Sequence, residues 1–366
     1  MRQCLKTNLT KVIDLSVELG KLVAGVKEKI ELADISNRII GIDAYNTIYQ
    51  FLSIIRQPDG TPLMDEKGNV TSHLSGILYR TLNLLENNIT PVFVFDGMPP
   101  LLKRRTLEAR AMKRNAAMME WKSAREEGRT EEARMHAMAS TKINREIVEG
   151  SKKLLECMGI PFMQAPSEGE AQSAVLAKKG LVYASASQDY DSFLFGARIV
   201  IRNLAISGKR KLPGKNIYIN ISTERIFLKD LLDSLQIGQE QLVLLGMLMG
   251  TDFNAGINKV GPKTALKIVK ENKTPGEVVG YIKRKYGAEF DADPNEVIEL
   301  FMKPDVEDVS EDAFGRLISR CKPDSSSIIR FMCEEHGFSK ERVSKIADRL
   351  CELKGLKGQK GINSWM

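Results

Sequence analysis

The stretch RIIGID, residues 38–43, is a short β-branched run that ends on Asp43. Two further runs have the same form: PVFVFD, residues 91–96, and LVYASASQD, residues 181–189, each end on an aspartate. Long helix-like segments separate these runs, and this alternation predicts an α/β fold, a parallel-rich central sheet flanked by helices. Ligand sites in such sheets lie outside the carboxyl ends of the strands, so we expect the three aspartates to converge there.

Two acidic pairs frame the third run. SEGEAQ, residues 167–172, precedes it and QDYD, residues 188–191, ends it, and in each pair one residue separates the two carboxylates. One interpretation of SEGEAQ is a helix start, with Ser167 as N-cap and Glu170 completing a capping box worth about 1 kcal/mol. That interpretation leaves Glu168 and the second pair without a role.

Carboxylates gathered at one sheet edge repel each other, by roughly 4 kcal/mol for an ionised pair about 4 Å apart at an effective dielectric near 20. Bound protons or divalent cations must therefore reduce the repulsion between these carboxylates. Oxygen ligands without histidine or cysteine select hard ions, so we expect Mg²⁺, with Mn²⁺ as the alternative. Two such ions about 4 Å apart are typical of phosphodiester cleavage. The carboxylates in this hypothesis are Asp43, Asp96, Glu168, Glu170, Asp189 and Asp191.

Residues 101–145 are rich in Lys, Arg, Glu, Ala and Met, which favours helix but supplies too little apolar surface for a core helix. A helical hairpin that stands out from the body is expected. Lys103, Arg110 and Arg114 follow one another at i, i+7 and i+11, on one face, and such a face steers a phosphate chain towards an acidic pocket. A solvated charged hairpin is the alternative.

The segment GINKVGPKTALKIV, residues 256–269, resembles a phosphate-binding P-loop, but Pro262 breaks the required spacing. Gly261, Lys263 and Thr264 still place backbone N–H groups and a positive helix end where a nucleic-acid phosphate would bind without base recognition. An ordinary Gly-Pro helix start is the alternative.

The whole-chain composition narrows the class of protein. A net charge of +7 and a pI near 9.0 favour an anionic partner such as nucleic acid. The five cysteines are scattered without a CxxC pair, as in proteins of a reducing compartment. The three histidines lie outside the acidic motifs, which argues against zinc and against a His-based triad. No apolar run is long enough to span a bilayer, so a cytoplasmic protein with no membrane partner is expected.

The chain resembles the flap endonucleases of archaeal type, the structure-specific 5′ nucleases of DNA replication and repair. The resemblance runs from about residue 16 to the C-terminus. Its matching stretches are GIDAYNTIYQFLSIIRQPDGTPL, TSHLSGILYRT, PVFVFDGMPPLLK, GIPFMQAPSEGEAQ, ASASQDYDSFLFG and LMGTDFNAGINKVGPKTA. It implies a Mg²⁺-dependent enzyme that cuts a phosphodiester near a 5′-flap junction, in Okazaki fragment maturation and long-patch base excision repair, with 5′-3′ exonuclease activity.

The resemblance also assigns residues to roles. It adds Asp252 to the carboxylates that hold two metal ions, and it implies that Lys103 and Arg110 contact the scissile phosphate. The DNA-binding positions are Tyr49, which stacks on a base, Arg56 and Arg80 on the duplex, Lys113 and Lys142 on the flap, and Gly261, Lys263 and Thr264 in a helix-two-turn-helix element where the family usually binds K⁺. The sliding clamp (PCNA) peptide corresponds to Gln359, Ile362, Trp365 and Met366, with Met366 replacing an aromatic residue.

The domain organisation follows from the same resemblance, and the chain is expected to act as a monomer. The expected units are an atypical N-terminal extension (1–15), an N-terminal nuclease region (16–100), a helical arch (101–147), an internal nuclease region (148–235), a helix-two-turn-helix and C-terminal helical region (236–345), and a basic tail with the clamp-binding peptide (346–366). Two alternatives stay open: a related metal nuclease acting on RNA or four-way junctions, and a non-catalytic DNA-binding clamp adaptor.

Overall fold

The computed structural model describes residues 19–206, 208–211 and 218–363, except for the side chains of 208–211, 218–220 and 354–363. The N-terminal extension 1–15 and the clamp-peptide residues Trp365 and Met366 lie outside the described residues. Gln359 and Ile362 belong to the backbone of the last helix. Among the helices described, none is long and apolar enough to cross a membrane.

A sheet of seven strands, in the order β1-β9-β6-β5-β2-β3-β4, forms the centre of the described structure. The neighbours from β6 to β4 run parallel, whereas β9 pairs antiparallel with both β1 and β6. The remaining two strands, β7 and β8, form a separate antiparallel pair. The strands are β1 Glu28–Ile30, β2 Ile39–Asp43, β3 Thr90–Phe95, β4 Phe162–Gln164, β5 Ala184–Ala186, β6 Ile199–Arg202, β7 Gly208–Lys211, β8 Tyr218–Ile221 and β9 Thr223–Phe227.

Helices flank the central sheet and, within the described residues, supply all the regular structure after β9. They are α1 Gly20–Val23, α2 Ala44–Ile54, α3 Ser72–Glu86, α4 Arg104–Glu126, α5 Thr130–Ala139, α6 Arg145–Cys157, α7 Gly169–Lys179, α8 Asp191–Leu194, α9 Leu228–Leu235, α10 Gln239–Met249, α11 Pro262–Glu271, α12 Pro275–Tyr286, α13 Pro294–Met302, α14 Glu311–Ser319, α15 Ser325–Ile329 and α16 Lys340–Asn363. Short 3-10 turns precede β2 and α4, and a π-helix, Arg330–Glu335, follows α15.

Two hydrophobic clusters cover the two faces of the sheet, as alternation along β3 shows. Val92 and Val94 are buried in one cluster, together with the helices that follow β9. Phe93 and Phe95 are buried in the other, together with α2, α3 and α6. Successive strand residues point to opposite faces, so a strand that is apolar throughout requires cover on both sides. The predicted α/β architecture is therefore confirmed.

The arch region forms a helical hairpin, in agreement with its composition. Helices α4 and α5 pack together, and Ala124, Ala133 and Ala137 are the buried residues between mostly exposed charged side chains. The turn Asp59–Gly60, which follows α2, lies against this hairpin: Trp121 Nε1 donates a hydrogen bond to the Asp59 carbonyl oxygen at 3.4 Å. Within the hairpin the contact between the two helices is thus made by small side chains, and the loop between α2 and α3 packs against it.

Candidate active site

Three aspartates leave the sheet at the carboxyl ends of three neighbouring parallel strands, as predicted. Asp43 is the last residue of β2, and its Oδ1 caps α2 by accepting a hydrogen bond from Asn46 N–H at 2.9 Å. Asp96 follows β3 directly. Asp189 follows the shorter strand β5 by three residues, and its Oδ2 accepts from Asn46 Nδ2 at 3.1 Å. The parallel pairing of β5, β2 and β3 therefore brings the three carboxylates to one edge.

The strand β4 adds the SEGEAQ pair to the same edge, because it pairs parallel with β3. The predicted capping box is wrong: α7 begins at Gly169 with Glu168 at the N-cap position and no side-chain cap. The Glu170 Oε1 instead accepts hydrogen bonds from Ser192, from its N–H at 3.0 Å and from its hydroxyl. Glu170 therefore joins α7 to α8, a tertiary role that competes with local capping.

Gly169 brings α7 into direct contact with the end of β3. Its N–H donates a hydrogen bond to Asp96 Oδ1 at 2.7 Å, and a Cβ atom at this position would lie only 2.8 Å from the same oxygen. Only a residue without a side chain permits this close approach. The absence of a Cβ at Gly169 thus sets the position of the Asp96 carboxylate.

Asp191 begins α8 and is only 5% exposed. Its Oδ1 is buried and has no hydrogen-bond partner among the described residues. A buried carboxylate oxygen without a partner is costly, and strain, a bound water, a bound ion or a catalytic role accounts for such groups in native structures.

Asp252 lies in the loop after α10, where the strand pattern did not predict it and only the family resemblance assigned it. Its Oδ2 lies 3.2 Å from Lys103 Nζ, which also pairs with Glu168, and its Oδ1 pairs with Arg110 Nη2. The two basic residues at the base of the arch thus enter the acidic cluster itself.

Burial and mutual repulsion raise the pKa values of several of these carboxyls. Burial, with the charges of Asp96, Glu170 and Asp189, raises the pKa of Asp43 well above its ordinary value. Burial and Glu168 raise the pKa of Asp96 to about 6, although Lys103 and the Gly169 N–H act against this. Burial and the charge of Asp189 raise the pKa of Glu170 to about 8. The cluster therefore holds protons tightly unless cations compensate it.

Lys103 supplies part of that compensation. Burial by itself would lower the pKa of its ammonium group, but the carboxylates of Glu168, Asp252 and Asp96 together raise it above the ordinary lysine value. The side chain is only 12% exposed. Lys103 therefore carries a permanent positive charge within the acidic cluster.

The donor set fits Mg²⁺, because it consists of carboxylate oxygens and includes the unpartnered Asp191 Oδ1. As the described side chains stand, no three of His, Cys, Asp or Glu already enclose a metal position. The ion pairs of Lys103 and Arg110 hold Glu168 and Asp252 towards the two cations. Metal binding at either carboxylate would therefore compete with these ion pairs.

Comparisons with known proteins agree with this geometry. The XPG N-terminal domain model matches residues 17–117, and the XPG I-region model matches residues 159–252. Flap endonuclease 1 of Pyrococcus abyssi is 48% identical over 96% of this chain and 98% of its own length. Flap endonuclease 1 of Methanosarcina barkeri is 50% identical over 92% of this chain and 96% of its own length. The chain belongs to the flap endonuclease 1 family.

Members of the flap endonuclease 1 family are structure-specific 5′ nucleases of DNA replication and repair, and they depend on metal ions, generally Mg²⁺. The solved structure of flap endonuclease-1 from Methanococcus jannaschii matches with a TM-score of 0.71 at 36% identity, over 93% of this chain and 99% of that one. The catalytic core of Rad2 in complex with DNA substrate matches with a TM-score of 0.64 at 23% identity, a likeness that shows the fold alone.

The flap endonuclease 1 fold places the predicted DNA-binding residues in different environments. Tyr49 on α2 is 41% exposed, and Lys113, Lys142 and Lys263 are also exposed. Gly261 is the N-cap of α11, and a Cβ there would meet open space. The Thr264 side chain is half-buried one turn further along α11.

Arg56 and Arg80 differ from those exposed positions, because burial lowers the pKa of each guanidinium to about 10. Arg56 donates hydrogen bonds to the Leu52 carbonyl at 2.7 Å, the Gly60 carbonyl at 2.8 Å and Thr141 Oγ1 at 2.7 Å. Arg80 Nη1 donates to Asn83 Oδ1 at 3.2 Å. Arg56 therefore joins the end of α2 to the segment that closes the arch.

Sequence reasoning missed the residues that support the carboxylates. Asn46 contacts Asp189, Ser192 contacts Glu170, and Gln164 Nε2 donates to the Asp96 carbonyl. Asn46 lies three residues after Asp43 on a helix start, a spacing that indicates a neighbour of the site. The Ser192 and Gln164 contacts have no comparable local signal.

Proposed function

We propose that the seven carboxylates Asp43, Asp96, Glu168, Glu170, Asp189, Asp191 and Asp252 bind two Mg²⁺ ions, and that Lys103 and Arg110 contact the scissile phosphate of a 5′-flap DNA. One observation carries this proposal: Lys103 Nζ lies between Glu168 and Asp252, so a cation from the arch reaches the acidic cluster. A phosphate that binds beside the acidic cluster would contact the positive charges of Lys103 and Arg110 on the side that faces the arch.

Bound Mg²⁺ ions supply a water of lowered pKa and stabilise negative charge on phosphate oxygens. The protein's own residues orient the carboxylate ligands and place positive charge beside the phosphate. Asp43 and Asp96 are held by backbone N–H groups of Asn46 and Gly169, so their oxygens keep a defined direction. Lys103 and Arg110 exchange their carboxylate partners for phosphate oxygens, which stabilises the charge that develops on the phosphate. Mn²⁺ suits the same oxygen donors.

The DNA contacts follow the family resemblance, and several of the residues are exposed. Tyr49 offers an exposed ring for a base near the cut, and base stacking on an aromatic ring contributes about 1–3 kcal/mol. Lys113 and Lys142 attract the single-stranded flap, while Arg56 and Arg80 lie on the duplex side. The N-terminus of α11, with Gly261, Lys263 and Thr264, holds the duplex backbone, with K⁺ bound at this helix-two-turn-helix element.

The further assignments rest on the family resemblance. The clamp-binding peptide is Gln359, Ile362, Trp365 and Met366, and the methionine at its last aromatic position weakens PCNA binding without abolishing it. The chain acts as a monomer near the nucleoid, with the arch at 101–147 between nuclease regions 16–100 and 148–235. The helical region 236–345 and the tail 346–366 follow them.

The test is incision of an end-labelled 5′-flap duplex in Mg²⁺. Wild-type protein is expected to cut near the junction, and Asp189→Asn is expected to lose most of this activity because a metal ligand becomes neutral. Asp305→Asn is the matched control, since Asp305 is exposed and outside the cluster. Full incision by Asp189→Asn contradicts the metal assignment. Faster cutting of an RNA or four-way junction substrate than of the flap contradicts the substrate assignment.

A further inference from the structure

Asp291 contacts two segments that are distant from it in sequence. It lies in the loop between α12 and α13, and its side chain is 28% exposed. Its Oδ2 lies 2.7 Å from Arg105 Nη1, in the first turn of the arch helix α4. Its Oδ1 accepts a hydrogen bond from the Ala255 N–H at 3.0 Å, in the loop after α10. One carboxylate therefore joins the arch to the loop that carries Asp252.

Each partner of Asp291 is close in sequence to a residue of the proposed site. Arg105 comes two residues after Lys103, and Ala255 comes three residues after Asp252. Lys103 and Asp252 form an ion pair of their own at 3.2 Å. Asp291 thus joins the same two segments as the Lys103–Asp252 pair, the base of the arch and the loop after α10, but it lies outside the acidic cluster.

The loop that carries Asp252 has its own internal support. Thr251 Oγ1 donates to Asn254 Oδ1 at 2.8 Å, Asn254 Nδ2 donates to the Met247 carbonyl at 2.7 Å, and both side chains are buried. Phe253 packs edge-on against Phe301, with ring centroids 5.2 Å apart. This loop therefore has hydrogen bonds and packing contacts that do not involve Asp291.

The first turn of α4 is less enclosed. Arg104, Arg105 and Glu108 are exposed, and Leu102 is the side chain of this region that packs against the core. The base of the arch depends on ionic contacts more than the Asp252 loop does. The Asp291 carboxylate connects this loop to the start of α4, which has fewer packing contacts. We therefore expect loss of Asp291 to displace the start of α4 rather than the loop.

We propose that Asp291 is a positioning residue that keeps the base of the arch in register with the Asp252 loop, so that Lys103 stays at the acidic cluster, where it can exchange its carboxylate partners for a phosphate. This inference rests on the proposed function, because it assigns importance to the position of Lys103. It predicts that loss of Asp291 or Arg105 slows phosphodiester cleavage itself, beyond any change in DNA affinity.

Arg104 provides a matched control for Arg105. Its side chain is 79% exposed, against 74% for Arg105, and it carries the same charge on the same helical turn. Its ion pair is with Glu108, at 3.0 Å within the same helix, so among the described residues this pair connects α4 to no other element. Arg104→Ala and Arg105→Ala therefore remove equal charge from the DNA path, and only Arg105→Ala removes the connection to Asp291.

The experiment compares single-turnover incision of a 5′-flap duplex by Arg104→Ala, Arg105→Ala, Asp291→Ala and the double variant Arg105→Ala/Asp291→Ala. A partly exposed ion pair predicts a fall of about two- to fivefold in the cleavage rate constant for Arg105→Ala and Asp291→Ala, and none for Arg104→Ala. The double variant should lose no more than the single ones, because both remove one interaction. The KM for DNA should rise equally for the two arginine variants and should not rise for Asp291→Ala, which removes a negative charge.

Three outcomes would overturn the inference: wild-type cleavage rates in Asp291→Ala, an equal fall in Arg104→Ala, or additive losses in the double variant. Asp291→Asn keeps an acceptor for the Ala255 N–H and so serves as a control in case Asp291→Ala misfolds. It should show an intermediate cleavage rate at an unchanged melting temperature. Failure of the proposed function is distinct, because wild-type protein would then leave the flap uncut or Asp189→Asn would cut it fully.

Discussion

Replacement of Glu170 by glutamine tests whether repulsion among the clustered carboxylates destabilises the metal-free protein. Burial and Asp189 raise the pKa of Glu170 to about 8, from an ordinary value of 4.5. A carboxyl whose folded-state pKa is raised contributes stability fully below pH 4.5, and this contribution is lost as the pH rises towards 8. At pH 8 the metal-free protein therefore carries a cost of up to roughly 5 kcal/mol from this one group.

Glutamine removes the charge and keeps the shape, and its Oε1 still accepts hydrogen bonds from Ser192. We expect metal-free Glu170→Gln to be more stable than wild type at pH 8 by about 3 kcal/mol, below the full value because the coupled carboxyls share protons. For 366 residues, an unfolding entropy of about 2.1 cal/mol/K per residue converts this into about 4 °C in Tm. The same variant should lose incision activity, because a proposed metal ligand is gone.

The assay is thermal unfolding in EDTA between pH 4.5 and 8.5, followed by a Mg²⁺ titration at pH 8. The gain in Tm should vanish below about pH 4.5, where Glu170 is protonated in the unfolded chain as well as in the folded protein, and Mg²⁺ should stabilise wild type more than Glu170→Gln. Glu299→Gln is the control, since that side chain is 72% exposed and lies outside the cluster. A Glu170→Gln protein that melts at or below the wild-type temperature at pH 8 would refute the reasoning.

Three further changes have defined outcomes. Lys103→Met should lower the single-turnover incision rate by about 100-fold or more, because a cation directed at the phosphate is lost while the chain length is kept. Gly169→Ala should lower incision by about tenfold or more and reduce stability by about 1–3 kcal/mol in urea unfolding, because its Cβ would lie 2.8 Å from Asp96 Oδ1. Arg56→Lys should cost about 1–2 kcal/mol in the same unfolding assay, because an ammonium cannot reproduce the three contacts that the planar guanidinium makes.

Each of these expectations has a result that contradicts it. Wild-type incision by Lys103→Met at saturating DNA would remove that residue from the chemistry. An unchanged denaturation midpoint for Gly169→Ala would mean that α7 shifts freely away from β3. An unchanged midpoint for Arg56→Lys would mean that its hydrogen bonds exchange for water without cost.

Local sequence determined the fold class and most of the acidic site. Short apolar runs ending in aspartate predict neighbouring parallel strands, and the geometry of a parallel sheet brings Asp43, Asp96 and Asp189 to one edge. The charged, alanine-rich segment after residue 100 likewise predicts the helical hairpin of α4 and α5. These inferences depend on period and composition, which a few neighbouring residues establish.

Tertiary structure alone decided the contacts between distant segments. Glu170 had the spacing of a helix cap, yet it bonds to Ser192, 22 residues away, because α8 reaches it once the sheet has formed. Arg105 and Asp291 are separated by 186 residues, and neither has a neighbour that indicates the other. Such pairs depend on how whole helices pack, and packing is settled by buried surface across the molecule rather than by any local pattern of residues.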